Sequence, residues 1–439
     1  MEMEWYWAFT MLVGMVVVLM MIGMPVAVTF ITTNIVGTLI FMGGISDLYT
    51  VVDNSTELIT TFTLGPVPMF IMMGALFFHT GLAIRVFDGL DALFGRIPGR
   101  LCYLTVTGGA MFSTLTGSSM ANTAMLGSLM VPEMQRRGYN WRMSMGPILG
   151  TGGLAMIIPP SSLGVLLASI ANIDVGRLLI AGFLPGVVLA VLYAGMIYLQ
   201  VRLNPESAPV YEVPPSTVTE KLVLIGTNIL PMSLVVFMVI GFILLGIATP
   251  TEAAAFGVLG VIILATAFRA LTWQSIRVSL ESTVKVSGMV FFILMSSTVF
   301  SQLLAYSGAS AGMLEWATDF EVSRLVVLAV MFVVLIVLGM FMDGVSMMLI
   351  TVPIFFPLAH SLGFDLIWFG LFVLITLEMA GTTPPFGLLL YVMLGVAPKG
   401  TTLMQVANAA FPFLICDAIL ILVLVKFPNV AMYLPGLMD

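Results

Sequence analysis

Apolar runs of about 20 residues recur from one end of this chain to the other, each long enough to cross a hydrocarbon core of about 30 Å as a helix. In lipid every backbone N–H and C=O must find its partner within the protein, which leaves helices and closed barrels as the only spanning structures. Strand alternation is absent, which argues against a barrel. Only 8% of the 439 residues are charged and 60% are apolar, far from the roughly 25% charged of soluble domains. The bilayer is therefore the solvent. Glu2 and Glu4 precede the first run where a secretory signal would be basic, so that run reads as a retained helix.

The reading gives ten full crossings: Trp5–Gly23, Pro25–Gly44, Pro66–Ile84, Met145–Ala171, Leu178–Val201, Leu222–Ile247, Ala253–Phe268, Val286–Tyr306, Leu366–Val396 and Val406–Val425. Two more apolar stretches, Leu101–Gln135 and Leu325–Ala359, are broken by Thr116-Gly117-Ser118-Ser119 and by Met342-Asp343-Gly344. They read as re-entrant hairpins. Cytoplasmic loops carry the excess of Lys and Arg. With both termini outside, twelve basic residues fall inside and only Arg177, Arg324 and Lys426 outside. The bias is lost if either hairpin is read as a full crossing.

An offset of 225 residues maps Ser118 onto Asp343, Pro132 onto Pro357, Gly138 onto Gly363, Pro159 onto Pro384 and Pro160 onto Pro385. The chain thus divides into two repeats, residues 1–201 and 222–439, joined by a Pro-, Ser- and Glu-rich cytoplasmic linker over 202–221. Each repeat has an odd number of crossings, so the second lies inverted relative to the first. The fold class expected is an all-α polytopic membrane protein of two inverted five-crossing repeats, the signature of secondary transporters.

Each repeat also carries a Pro-Pro pair inside a crossing, at Pro159-Pro160 and Pro384-Pro385. Proline has no N–H and its ring clashes with the preceding turn, so the pair reads as a break that exposes backbone groups at membrane depth, the alternative being a mere kink in each helix. Half-helix N-termini suit anions and freed carbonyls suit Na⁺. At the hairpin tips, Ser118 and Asp343 read either as helix caps or as ligands, and a carboxylate at that depth favours a cation-linked role for Asp343. His79 reads as an interfacial histidine, Glu378 as either structural or functional, and Asp417 has no motif beside it. Cys102 and Cys416 lie in apolar runs and give neither a disulfide framework nor a zinc site. The net charge of −7 does not point to nucleic acid. The 35 methionines lack ligand spacing and read as packing residues. No nucleophile with a nearby base and no P-loop is present.

These residues resemble one known family, the large membrane subunit of the TRAP (tripartite ATP-independent periplasmic) transporters. The resemblance covers almost the whole chain. It is carried by Gly117-Ser118-Ser119-Met120-Ala121, Val131-Pro132-Glu133-Met134, Arg137-Gly138-Tyr139, Ile158-Pro159-Pro160-Ser161, Phe341-Met342-Asp343 and Thr383-Pro384-Pro385-Phe386-Gly387. It implies a bacterial or archaeal inner membrane, a small four-helix membrane partner, a periplasmic substrate-binding protein that delivers a small organic anion, and Na⁺ as coupling ion. It also implies an elevator movement of residues 101–171 and 325–396 against a scaffold. On that reading Na⁺ binds near Ser118, Ser119 and Pro159, and near Asp343, Thr382 and Thr383, while substrate lies near Asn122, Ser161, Ser162 and Pro385. A stand-alone divalent-anion/Na⁺ symporter of like architecture and, from another class, a polytopic membrane enzyme are the competing readings.

Overall fold

The computed structural model describes residues 4–42, 44, 49, 65–116, 119–159, 161–210, 217–319, 323–340, 342–384 and 387–438. Among these every regular element is helical. In chain order the first are α1 (Trp5–Met21), α2 (Val26–Phe41), α3 (Pro66–His79), α4 (Leu82–Leu93), α5 (Arg100–Thr116), α6 (Ser119–Arg136), α7 (Trp141–Ile157), α8 (Ser162–Ala171) and α9 (Val175–Leu203). After the linker come α10 (Val218–Leu224), a π turn at Ile225–Ile229, α11 (Leu230–Leu244), α12 (Pro250–Ala267), α13 (Trp273–Tyr306) and α14 (Ala309–Asp319). The chain closes with α15 (Arg324–Gly339), α16 (Gly344–Ser361), α17 (Leu366–Thr382), α18 (Leu388–Val396), α19 (Leu403–Lys426) and the short α20 (Asn429–Met432).

Among the described residues, six helices are long and apolar enough to span a membrane singly, and up to eight spans result if each of two bent pairs counts as one. The expected full crossing Pro66–Ile84 falls on one of those pairs, Pro66–His79 with Leu82–Asp91. Gly81 takes φ +74°, a conformation that costs glycine little, and the chain turns by 65° between α3 and α4. The crossing expected from Val286 starts instead at Trp273, because the polar turns holding Arg277 and Glu281, paired at 2.8 Å, continue the same helix. At about 1.5 Å per residue, the 34 residues of α13 reach about 50 Å, well beyond the hydrocarbon core.

The 225-residue offset reappears in the element boundaries. α6 starts at Ser119 and α16 at Gly344, and they end at Arg136 and Ser361; α7 and α17 likewise run from Trp141 to Ile157 and from Leu366 to Thr382. The turns between them match at the level of single bonds. The Tyr139 N–H donates to the Met134 carbonyl and the Phe364 N–H to the Ala359 carbonyl, both at 3.0 Å. Gly138 and Gly363 take positive φ, closing the preceding helix as a left-handed C-terminal residue does. Asn140 and Asp365 then cap the next helix with side-chain oxygens. The linker folds back on this turn, where the Asn140 N–H donates to the Ser207 carbonyl at 3.0 Å.

Packing sorts the helices into two groups. The first comprises α1, α2, α3, α11, α12, α13 and α14, with α3 seated against α12 and α13. In the second, α7 and α17 are surrounded by α5, α6, α8, α9, α15, α16, α18 and α19. α7 is buried from Met143 to Ile157 and α17 almost throughout, which suits helices that are apolar all round.

Candidate functional site

Both Pro-Pro positions interrupt their helices. After α7, Ile158 is extended, and Ser161 caps α8 by accepting from the Gly164 N–H at 3.0 Å; the halves meet at 44°. Glycines of α9 seat this break. A methyl group on Gly182 would lie 2.0 Å from the Ile157 carbonyl oxygen, and one on Gly186 would lie 2.3 Å from Ile158 Cγ1. This is the close approach that small residues four apart permit between membrane helices.

At the second break, threonine hydroxyls bond back to carbonyls of the last helical turns. Thr382 Oγ1 donates to the carbonyls of Glu378 (3.2 Å) and Met379 (3.1 Å), and Thr383 Oγ1 donates to Met379 at 2.6 Å. Gly387 closes the loop, since a methyl group there would stand 2.6 Å from the Gly381 oxygen and 2.8 Å from the Thr383 oxygen. α18, which follows, has no side-chain cap.

Between the two helix groups lies a cavity of about 700 Å³. Ser119, Ser162, Gly344 and Leu388 all line it, and each is the first residue of its helix. Four helix N-termini therefore open on one space. Each carries the partial positive charge of a helix start. Asp343 answers one of them, accepting from the Val345 and Ser346 N–H groups at 3.0 and 3.3 Å and from the Ser346 hydroxyl. The opposite wall is largely apolar, with Ile71 and Phe78 of α3 and Val286 and Met289 of α13. His79 lies on that wall and is the only residue lining the cavity, among those described, that can carry positive charge.

Of the residues picked from sequence, Ser119, Ser162 and Asp343 line the cavity. Asn122, Pro159, Ser161 and Thr382 are buried, and Thr383 is half-buried. Asn122 donates from Nδ2 to the Thr151 carbonyl at 3.0 Å. Ser118 and Pro385 lie outside the described residues, as do Gly117, Pro160, Phe341 and Phe386.

The two acids that sequence reasoning left open are both internal. Glu378 is 2% exposed and Asp417 4%. Glu378 Oε2 accepts from Ser119 Oγ at 3.0 Å, a bond that joins the two repeats. Asp417 accepts from the Tyr193 hydroxyl at 2.5 Å. Tyr193 went unnoticed in the sequence, although it precedes Asp417 by nearly the repeat offset. His79 was placed at the interface by its position near a helix end, and only the tertiary structure turns it onto the cavity. Groups of three or more His, Cys, Asp or Glu able to hold a metal ion are absent among the described residues.

The chain matches the family described as "Tripartite ATP-independent periplasmic transporter, DctM component" over residues 13–430. It is 33% identical over 384 residues to the C4-dicarboxylate TRAP transporter large permease protein DctM of Pseudomonas aeruginosa, covering 85% of this chain and 86% of that protein. It is 27% identical over 431 residues to the ectoine TRAP transporter large permease protein TeaC of Halomonas elongata, covering 98% and 99%. Among solved structures it is similar to the Alcanivorax borkumensis YdaH transporter, with TM-score 0.62 and 14% identity over 90% of this chain and 91% of that one. At that identity the likeness concerns the fold alone. The chain belongs to the DctM-component family of tripartite ATP-independent periplasmic transporters, as a multi-pass large permease subunit and not an enzyme.

Proposed function

We propose that this chain carries a small organic anion, a carboxylate or sulfonate, inward across the bacterial or archaeal inner membrane, driven by Na⁺ after a periplasmic binding protein delivers the substrate. The observation that carries this reading is the convergence of four helix N-termini on one cavity. Such ends favour negative charge, and α18 has no side-chain cap of its own. The anion is placed at these ends, near Ser162, Ser161, Asn122 and Pro385. Na⁺ is placed near Ser118, Ser119 and Pro159 in one repeat and near Asp343, Thr382 and Thr383 in the other. Anion and cation then favour each other's binding, because each offsets charge that the other would leave buried.

The movement proposed is an elevator displacement of one helix group against the other, with the two repeats inverted and the termini outside. The sequence reading limits the moving part to residues 101–171 and 325–396. Packing argues for a larger body, because α9 and α19 enclose α7 and α17 rather than joining α3, α12 and α13. The chain is tested in proteoliposomes with the small membrane subunit and the binding protein, using the ligand that raises the binding protein's melting temperature. Uptake is expected only with all three components and an inward Na⁺ gradient. Equal uptake without the binding protein, or without Na⁺, refutes the reading.

A further inference from the structure

The side chains that α3 and α13 present to the cavity are apolar, among the described residues, except for Ser282 and His79. His79 is exposed. Its ring stands edge-on to Phe78, 5.0 Å between centroids at 84°, and its nitrogens meet no hydrogen-bond or ion-pair partner among the described residues. No Lys or Arg lines the same space among those residues. The two acids of the facing wall are engaged elsewhere, Asp343 as the cap of α16 and Glu378 with Ser119.

The fold holds this imidazole in position. His79 is the last residue of α3, and Thr80 closes the helix behind it: its N–H and its Oγ1 both donate to the Leu76 carbonyl, at 3.0 and 2.7 Å. Gly81 then turns the chain away into α4. The rings of Phe77 and Phe78 each lie 6.3 Å from that of Phe112 on α5. Phe112 is four residues from the end of α5 at Thr116, about 6 Å along the axis, so the end of α3 stands close to the tip of the first hairpin. α3 also packs against α8, whose first residue, Ser162, lines the cavity.

Two kinds of polar group therefore address one space from different helix groups. On one side are four helix starts; on the other is an imidazole, which donates an N–H and is able to carry a positive charge. In a pocket with mostly apolar walls, a few placed polar groups fix the ligand's orientation. A substrate anchored by an anionic end at the helix starts finds on the α3 side one ionisable group for its other end. We propose that His79 is a second binding point for the substrate, its imidazole donating to a carboxylate or other acceptor at the end remote from the helix-bound anion. This rests on the reading above that places the anion at the helix ends. Because His79 belongs to the first helix group and the helix starts to the second, such a substrate touches both. The His79 contact then adds affinity in this arrangement and is lost when the groups slide past each other.

The test measures equilibrium binding of a panel of unbranched acids to the purified full-length chain in detergent with Na⁺. Each acid has a carboxylate or sulfonate at one end and, in length-matched pairs, a methyl group or a second carboxylate at the other. The parent is expected to bind at least one two-headed acid about tenfold more tightly than its methyl-ended counterpart, the size of one hydrogen bond to a charged group. His79→Leu is expected to remove that preference and leave the methyl-ended acids bound as before. His79→Gln, which keeps an N–H donor, retains part of it. A His79→Leu variant that weakens both members of every pair equally, or that loses only thermal stability, shows a structural imidazole and overturns the proposal. A parent that binds the members of each pair alike, or a preference that survives in His79→Leu, overturns it too and leaves the helix-end site standing. A parent that binds none of the acids refutes the helix-end reading itself.

Discussion

Replacing Asp343 separates the cap that the structure shows from the Na⁺-ligand role proposed above. Oδ2 accepts from the Val345 and Ser346 N–H groups at 3.0 and 3.3 Å, while Oδ1 meets the Ser346 hydroxyl. Asp343→Asn keeps a carbonyl oxygen for the N–H groups and turns its amide toward the Ser346 oxygen. Asparagine caps about as well as aspartate, so the helix start is hardly affected, whereas Asp343→Ala costs about 1 kcal/mol. A cation ligand is a different matter. Interactions with a charged group contribute about 1.5–3 kcal/mol, which corresponds to roughly tenfold to hundredfold in Na⁺ affinity. Asp343→Asn should therefore match the parent in thermal unfolding in detergent yet need at least about tenfold more Na⁺ for half-maximal uptake in proteoliposomes. An asparagine variant with parental Na⁺ dependence, beside an alanine variant that fails only in stability, would show that Asp343 is a cap and nothing more.

Two further substitutions probe the packing that holds the site. Tyr193→Phe removes the donor to Asp417 and should lower the denaturation midpoint in detergent by an amount equivalent to about 1–3 kcal/mol, with partial recovery in Tyr193→Phe/Asp417→Leu, where neither polar group is left buried alone. A single variant as stable as the parent contradicts the bond's importance. Gly182→Val drives carbon into the Ile157 carbonyl and should abolish a monodisperse peak in size-exclusion chromatography, whereas Gly195→Ala, with nothing within 4 Å of the added carbon, should leave it intact.

The helix breaks were legible because proline and glycine act locally. Pro159 and Pro384 remove a donor wherever they stand, and Gly138 and Gly363 mark helix ends whatever surrounds them. The 225-residue offset in the boundaries of α6 and α16 and of α7 and α17 was legible for the same reason, since those residues recur at one offset. Glu378 and Asp417 were not legible. A carboxyl inside an apolar run states that a partner must exist, but its partner is 259 residues away for Glu378 and 224 for Asp417, and nothing local encodes that distance. The polar start of α13 was missed because an apolar window detects only the part of a helix that lies in lipid. The amphipathic α4 and the short α14 fell below the length that such a window finds.

The cavity's two walls differ in a way that bears on movement. One wall offers helix ends, hydroxyls and two carboxyls from the second helix group; the other offers mainly the apolar side chains of α3 and α13. Sliding a polar surface past an apolar one breaks few directional bonds, whereas sliding it past another polar surface would strand donors and acceptors at a cost for each. One bond that crosses between the groups, from Ser297 Oγ to the Leu349 carbonyl, is 3.4 Å long, at the weak end of the range. Within the second group the opposite holds. Ser119 is tied to Glu378, Asn122 to Thr151 and Tyr193 to Asp417, each bond joining different helices. A body stitched internally by side-chain hydrogen bonds and bounded by an apolar face meets the condition for moving as a unit, because its polar groups travel with their partners.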